Sequence, residues 1–375
     1  MRIPRACGSQ WDWEVAMYFV KEAAMKVFLT GATGFIGQAL VRAMCKRGWH
    51  INALVRDTQA ASAQWLRQQE VTLVAGDVTE SSGLADAMRG CNVVLHNAGV
   101  YEFGLDKASI QRMQRVNVQG TDNVLGAALK AGVPRTFHVS STMALGASSY
   151  APNEASVADE TKIHPGHFLT LYERSKVDAH QVALAYRKRG LPLNILMPNA
   201  VAGINDHSIF GYFLRLHLLH SMVPMAFGKE TVMSFVEVNA LADGICLAIE
   251  RAASGQDYLF AGEPVTLGEL FQKFNRYPGG FKFRLWLPRW FMRPQMAVLE
   301  PLQRWLGLPA FMSRDTVDTS KGHFYFSSAK AQRDLGWKHP APDVMWDAIV
   351  QGEYALMNQR KGFLNRLRQQ SVVQD

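Results

Sequence analysis

The sequence predicts an α/β fold, a doubly wound parallel sheet carrying a smaller, mostly helical C-terminal lobe. Three observations predict it. Over the first 200 residues, short apolar runs alternate with helix-length amphipathic segments. Those runs lack the in-out alternation of a half-exposed strand, so they read as strands covered on both faces. Three glycines, Gly31, Gly34 and Gly37, stand three apart between the first run and the first helix. Alternation of this kind places helices on both sides of a parallel sheet. A chain of 375 residues that is 48% hydrophobic has the material for one large domain with a smaller lobe, or for two domains.

In chain order, residues 1–24 are expected as an N-terminal extension ahead of the first strand, and Met25 could serve as initiator. A chain beginning there is expected to fold and bind its ligand normally. The strands then read "MKVFLTG", "INALVRD", "VTLVAGD", "NVVLHNAG", "RTFHVSST" and "LPLNILMPN". The first helix carries Ile36, Leu40, Val41 and Met44 on one side and stops at Gly48, a residue suited to a C-cap. The sheet domain is expected to span 25–200. Beyond it the rhythm gives way to aromatic, Pro-broken segments, read as a substrate lobe over 201–231 and 263–345. "SFVEVNALADGICLAIE" and "QDYLFAG" read as a helix and a strand returning to the sheet within 232–262, and 346–375 as a C-terminal helix with a solvated basic tail.

Composition removes several classes. Cys7, Cys45, Cys91 and Cys246 are scattered without a CxxC pair, which argues against a disulfide framework or zinc site and for a reducing cytoplasm. No uncharged apolar stretch reaches the roughly 18 residues of a membrane span. The net charge of +8 is dispersed, so nucleic acid is not expected as a partner. The aromatic segment Phe281 to Phe311 reads as lobe core, although Arg284, Arg289, Arg293 and Arg304 leave a peripheral membrane contact open. None of the eleven histidines shows a paired-ligand spacing; His96 and His138 fall in buried-looking strands, and no metal is expected.

The glycines sit where free backbone N–H groups and the positive end of a helix can hold a pyrophosphate, and side chains would block its approach. A dinucleotide is the expected ligand. Gly37 is followed by Gln38 where a nucleoside-triphosphate loop needs Lys, and the alternative is three glycines serving only a tight turn. Tyr172 and Lys176 lie four apart in a segment whose Ala179, Val182, Ala183 and Tyr186 form an apolar helical face, so both emerge on one side. An ammonium beside a phenol stabilises the phenolate and brings its pKa toward the working range, which suits Tyr172 to exchange a proton with a substrate oxygen.

"TGATGFIG" at Thr30 to Gly37 with "YERSK" at Tyr172 to Lys176 resembles the extended short-chain dehydrogenase/reductase family, whose members have a Rossmann-type fold. The match continues in order through "GDV" at Gly76, "HNAG" at His96, "NVQGTDNVL" at Asn117, "VSST" at Val139, "MPN" at Met197 and a closing "SSAKAQRDLGW", covering roughly residues 25 to 340. The chain looks most like the dihydroflavonol-reductase, 3β-hydroxysteroid-dehydrogenase and hopanoid-associated branch.

The resemblance implies that Lys176 also holds the nicotinamide ribose. It gives Thr142, third in "SST", the hydrogen bond to the substrate oxygen, with Ser141 as runner-up, and Asn117 either a proton-relay or a structural role. It implies cofactor contacts from Gly31, Thr33, Gly34, Phe35, Ile36, Gly37, Asn97, Ala98, Gly99, Pro198 and Asn199, and a homodimer as the default. NADP(H) is expected over NAD(H), because "INALVRD" ends in Val55 and Arg56 where an NAD site carries an acid. Arg56 would take the 2′-phosphate, with Asp77 and Val78 near the adenine; Asp57 would reverse the preference if it faced the ribose.

Tyr101, Phe103, Phe168, Phe210, Tyr212, Phe213 and Met222 are expected to line an apolar substrate site, although half of them could be lobe core. The function expected is the NADP(H)-dependent interconversion of a ketone and a secondary alcohol on a largely apolar, aromatic, steroid- or terpenoid-like small molecule, by hydride transfer with Tyr172 as proton donor. A nucleotide-sugar epimerase or dehydratase is the alternative, and a non-catalytic dinucleotide-binding protein the second.

Overall fold

The structure, a computed structural model, describes residues 25–101, 106–151, 154–222, 225–279, 285–306, 308, 310–360, 362 and 366. The expected N-terminal extension with Cys7, the substrate candidate Phe103, Phe281 and Arg284, and most of the basic tail lie outside the described residues.

Seven parallel strands form the main sheet: β1 (Lys26–Thr30), β2 (His50–Val55), β3 (Thr72–Ala75), β4 (Val93–His96), β5 (Arg135–Val139), β6 (Leu193–Pro198) and β7 (Asp257–Phe260). Their order is β7-β6-β5-β4-β1-β2-β3. The chain therefore reverses direction of travel between β1 and β4, and the carboxyl ends of these two strands open a crevice where such folds bind ligands.

Alternate residues of each strand enter different cores. Val27 and Leu29 pack with α1 (Phe35–Cys45) and α8 (Val238–Arg251), whereas Phe28 and Val94 face the helices α3 (Leu84–Met88), α5 (Gly120–Ala131) and α6 (Leu171–Lys188). Both faces must be apolar, which is why these strands read as unbroken apolar runs. β3 departs from that expectation: it is the sheet edge and none of its residues is buried. Helices α2 (Ala61–Gln68) and α4 (Lys107–Gln114) complete the first half.

The lobe centres on α7 (Ile209–Leu218), α9 (Leu267–Phe274) and α13 (Pro342–Gln359), whose Leu214, Leu218, Leu270, Phe274, Trp346 and Ile349 share one core. Arg215 and Glu353, both fully buried, pair at 3.5 Å between α7 and α13. Beside them α10 (Arg289–Trp305) packs on α11 (Arg314–Thr319), whereas α12 (Ala329–Leu335), expected in the lobe, packs through Ala331 and Leu335 on α8 and β7 of the sheet domain. "SFVEVNALADGICLAIE", expected as one helix, divides. Val232–Glu237 is a strand between Ala200–Ala202 and Pro264–Thr266, and α8 begins only at Val238, where the Glu237 carboxylate accepts from the N–H groups of Asn239 and Ala240. That side-chain cap ends the strand and starts the helix.

Candidate active site

Two of the three turn glycines are explained by the protein itself. Gly31 has φ +71°, and a Cβ there would stand 2.8 Å from Ala98 Cα. At Gly37 a Cβ would strike the Gly31 carbonyl and lie 2.8 Å from Ala32 Cα, so this residue lets α1 pack on the turn. Gly37 does not line the cavity. Gly34 differs. A Cβ there would meet only the Gly31 oxygen, at 3.5 Å, and the residue lines the cavity together with Thr33, Phe35 and Ile36. It is also the N-cap of α1 and has no side chain to cap the first turn, which carries no acid. N–H groups left uncapped at a helix start suit an anion. Nearby, Asn97 Nδ2 donates to Gly31 O at 3.3 Å while its buried Oδ1 has no partner among the described residues. Open space at Gly34, an uncapped helix start and an orphaned amide oxygen fit a dinucleotide.

At the end of β2, Arg56 is exposed and lines the cavity with Asp57. One Asp57 oxygen accepts from Gln59 N at 2.7 Å, which engages that carboxylate in its own turn. Asp77 accepts from Thr79 N at 2.8 Å and Thr79 Oγ1 at 2.9 Å, and Val78 packs where Gly120 leaves room. Asp77, Val78, Ala98, Gly99, Pro198 and Asn199 all line the same cavity.

Helix α6 is positioned by its first turn. The Thr170 hydroxyl accepts from Glu173 N at 3.0 Å, and the buried Glu173 carboxylate accepts from Leu169 N and meets His164 Nε2 at 3.2 Å. Tyr172, between these anchors, is 7% exposed, and Lys176 Nζ lies 5.7 Å from its ring centre. Burial pushes the Tyr172 phenol above the ordinary tyrosine range, against a smaller opposing effect of its hydrogen bond with Ser141. Burial also lowers the Lys176 ammonium to about 8. Here desolvation outweighs the ion's help to the phenolate, so Tyr172 rests as a neutral phenol holding a proton. Tyr101 meets the Tyr172 ring edge-on at 4.9 Å.

The residue bonded to Tyr172 is Ser141, not Thr142. Thr142 is 1% exposed and its hydroxyl donates to Asn199 Oδ1 at 2.9 Å, while Asn199 Nδ2 donates to Phe324 O at 2.8 Å. Thr142 and Asn199 thus join the β5 and β6 ends to the chain near Phe324. Asn117 is tied in a similar way. It lies in a π-helical turn, Arg115–Gln119, accepts from Val100 N at 2.7 Å and donates to Val100 O and Ser175 Oγ at 3.0 Å each. Its amide holds the Gly99–Val100 loop against α6, and it does not line the cavity. His96 is fully buried between Thr30 Oγ1 at 2.8 Å and Thr121 Oγ1 at 3.1 Å, and burial lowers it to about 3. Among the described residues no cluster of His, Cys, Asp or Glu could hold a metal ion.

The cavity, about 2030 Å³, runs from the glycine turn past Tyr172 into the lobe. Tyr101, Phe210, Tyr212, Phe213 and Met222 line it. Phe168 does not: it stacks on His164 at 4.9 Å with Arg174 over its ring, on the surface. Met233, Phe271, Met292, Met296, Phe311 and Phe324 also line it and escaped sequence reading. They come from five separate segments that only the folded lobe brings together.

A family model described as "NAD dependent epimerase/dehydratase family" matches residues 27–261. The chain is 30% identical over 320 residues to a putative dihydroflavonol 4-reductase of Synechocystis, covering 82% of this chain and 89% of that one. It is 28% identical over 338 residues to a 3 beta-hydroxysteroid dehydrogenase/Delta 5-->4-isomerase of Mycobacterium tuberculosis, covering 84% and 86%. The crystal structure of gox2253 superposes with a TM-score of 0.72 at 32% identity, covering 89% of this chain and 98% of that one. The chain belongs to the NAD-dependent epimerase/dehydratase family, the extended short-chain dehydrogenases/reductases, in its dihydroflavonol-reductase and 3β-hydroxysteroid-dehydrogenase-like branch. It is an oxidoreductase of that type, in a family that uses NAD(H) or NADP(H).

Proposed function

We propose that the protein interconverts a ketone and a secondary alcohol on a largely apolar, ring-bearing small molecule, with NADP(H) as cofactor and Tyr172 as proton donor. The observation that carries this reading is a neutral, buried Tyr172 bonded to Ser141 at the junction of a dinucleotide groove and an apolar chamber walled by Phe210, Phe213, Phe271 and Phe311. Steroid and flavonoid names among the relatives support the substrate class.

The turn at Gly34 would hold the pyrophosphate, Arg56 the 2′-phosphate, and Asp77 and Val78 the adenine end, while Lys176 would hold the nicotinamide ribose. The nicotinamide, when bound, supplies hydride in reduction and accepts it in oxidation. Ser141 holds the substrate oxygen beside Tyr172 Oη, in the role the family resemblance assigned to Thr142. Tyr172 gives its proton to that oxygen as negative charge develops there. Lys176 stabilises the tyrosinate that remains, which solvent reprotonates. The aromatic walls orient the apolar body and exclude water around the reacting carbon.

A binding comparison tests the substrate class. Apolar cyclic ketones should bind saturably and UDP- or GDP-sugars should not. Tight sugar-nucleotide binding, with turnover that needs no added NADPH, would replace this reading by an epimerase.

A further inference from the structure

Helix α10 has two apolar faces, and among the described residues only one is covered. Met292, Met296 and Gln303 are buried toward the lobe. On the opposite side Trp290, Phe291, Val298, Leu302, Trp305 and Leu306 are exposed, at 76%, 42%, 70%, 46%, 80% and 41%. Their spacing follows the helical repeat, so they form one outward stripe flanked by Pro294 and Pro301. No charge interrupts it. The acid of this helix, Glu300, is buried and accepts from Arg314 N at 2.6 Å, while Arg304 and Arg293 lie exposed along one border of the stripe, Arg293 sharing its charge with Asp318 at 3.0 Å.

We propose that this stripe seats the protein on an anionic lipid bilayer, with α10 lying in the interfacial plane. A tryptophan near each end of an apolar face bordered by arginines suits a layer that is apolar on one side and anionic on the other. The position of the cavity gives the seating a use. Phe291 and Val298 belong both to the stripe and to the cavity lining, so the chamber opens at this surface. An apolar substrate would enter from the acyl layer without crossing water. A second copy of the chain fits less well. A helix of 17 residues presents a face about 25 Å long and roughly 10 Å wide, or about 250 Å², against about 800 Å² per partner in a stable dimer. A copy seated there would also close the opening. This surface is independent of the chemistry at Tyr172.

Sedimentation of the full chain with vesicles tests it, using phosphatidylcholine alone and phosphatidylcholine with one third phosphatidylglycerol. The chain should sediment with the anionic vesicles. The double variant Trp290→Ser/Trp305→Ser should lose partition by about tenfold or more while keeping its circular dichroism and nucleotide binding. Lipids brominated in the acyl chain should quench the fluorescence of the natural protein more than that of the variant. Failure of the natural chain to sediment, or equal sedimentation of the variant, overturns the proposal. So does a concentration-dependent dimer that the double variant abolishes, in a chain that ignores vesicles; that result assigns the stripe to self-association.

Discussion

Ser141 and Thr142 are adjacent hydroxyl residues with different partners, so removing each hydroxyl should fail in a different way. Thr142→Val keeps the shape of a buried side chain but removes the donor to Asn199 Oδ1, which lies 2.9 Å away in a buried setting. A buried acceptor left unsatisfied costs about 1–3 kcal/mol. The variant should therefore unfold at a lower denaturant midpoint, with an unchanged slope, and retain most of its turnover where it is folded. Ser141→Ala removes the hydroxyl bonded to Tyr172, together with a cap that accepts from Met143 N at 3.2 Å. Ser141 is only partly buried, so stability should fall less, by about 0.5–1.5 kcal/mol for one ordinary hydrogen bond. Turnover should fall by about a hundredfold, as expected when a donor to a developing oxyanion is lost. Urea unfolding and NADPH consumption with a carbonyl panel measure the two effects separately. A Thr142→Val enzyme that folds with normal stability yet has lost turnover, beside an active Ser141→Ala enzyme, would refute the assignment.

Three further outcomes follow from the same geometry. Arg56→Ala should weaken NADPH binding by about 1.5–3 kcal/mol and leave NADH binding nearly unchanged, read by nucleotide fluorescence; equal losses for both would remove Arg56 from the 2′-phosphate. Gly34→Ala should fold normally and bind the dinucleotide weakly, whereas Gly37→Ala should lower the unfolding midpoint, because a Cβ collides with the backbone at Gly37 and not at Gly34. Lys176 has its pKa lowered to about 8, so it is a cation below that pH and neutral above it. The reduction rate should therefore hold through neutrality and decline as pH rises past about 8; a profile flat to pH 10 would show that the ammonium is not needed.

The sheet was legible because strands buried on both faces write themselves as unbroken apolar runs, as at "NVVLHNAG". β3 was legible as a strand but not as an edge, since strand order is set by crossovers that no local run records. "SFVE" merged with the helix after it because both are apolar, and the Glu237 cap that divides them is an ordinary glutamate by sequence. The glycine turn was legible as a pattern. Which glycine faces a ligand depends on Ala98 and Ala32, which the fold brings against the turn. Ser141 and Thr142 could not be told apart for a similar reason: the choice turns on where β5 ends and on Asn199, 57 positions away. The aromatic segment around α10 read as core because apolar periodicity marks a face without saying whether anything covers it.

The central claim is that Tyr172 delivers the proton to a carbonyl on an apolar body. It is tested most directly by NADPH consumption with apolar cyclic ketones, comparing the natural protein with Tyr172→Phe at matched saturation in both ligands. The account predicts turnover by the natural protein, and in the variant a fall of about a hundredfold or more with NADPH binding preserved, the scale of a lost general acid. A phenylalanine variant that turns over ketone at the natural rate would contradict it.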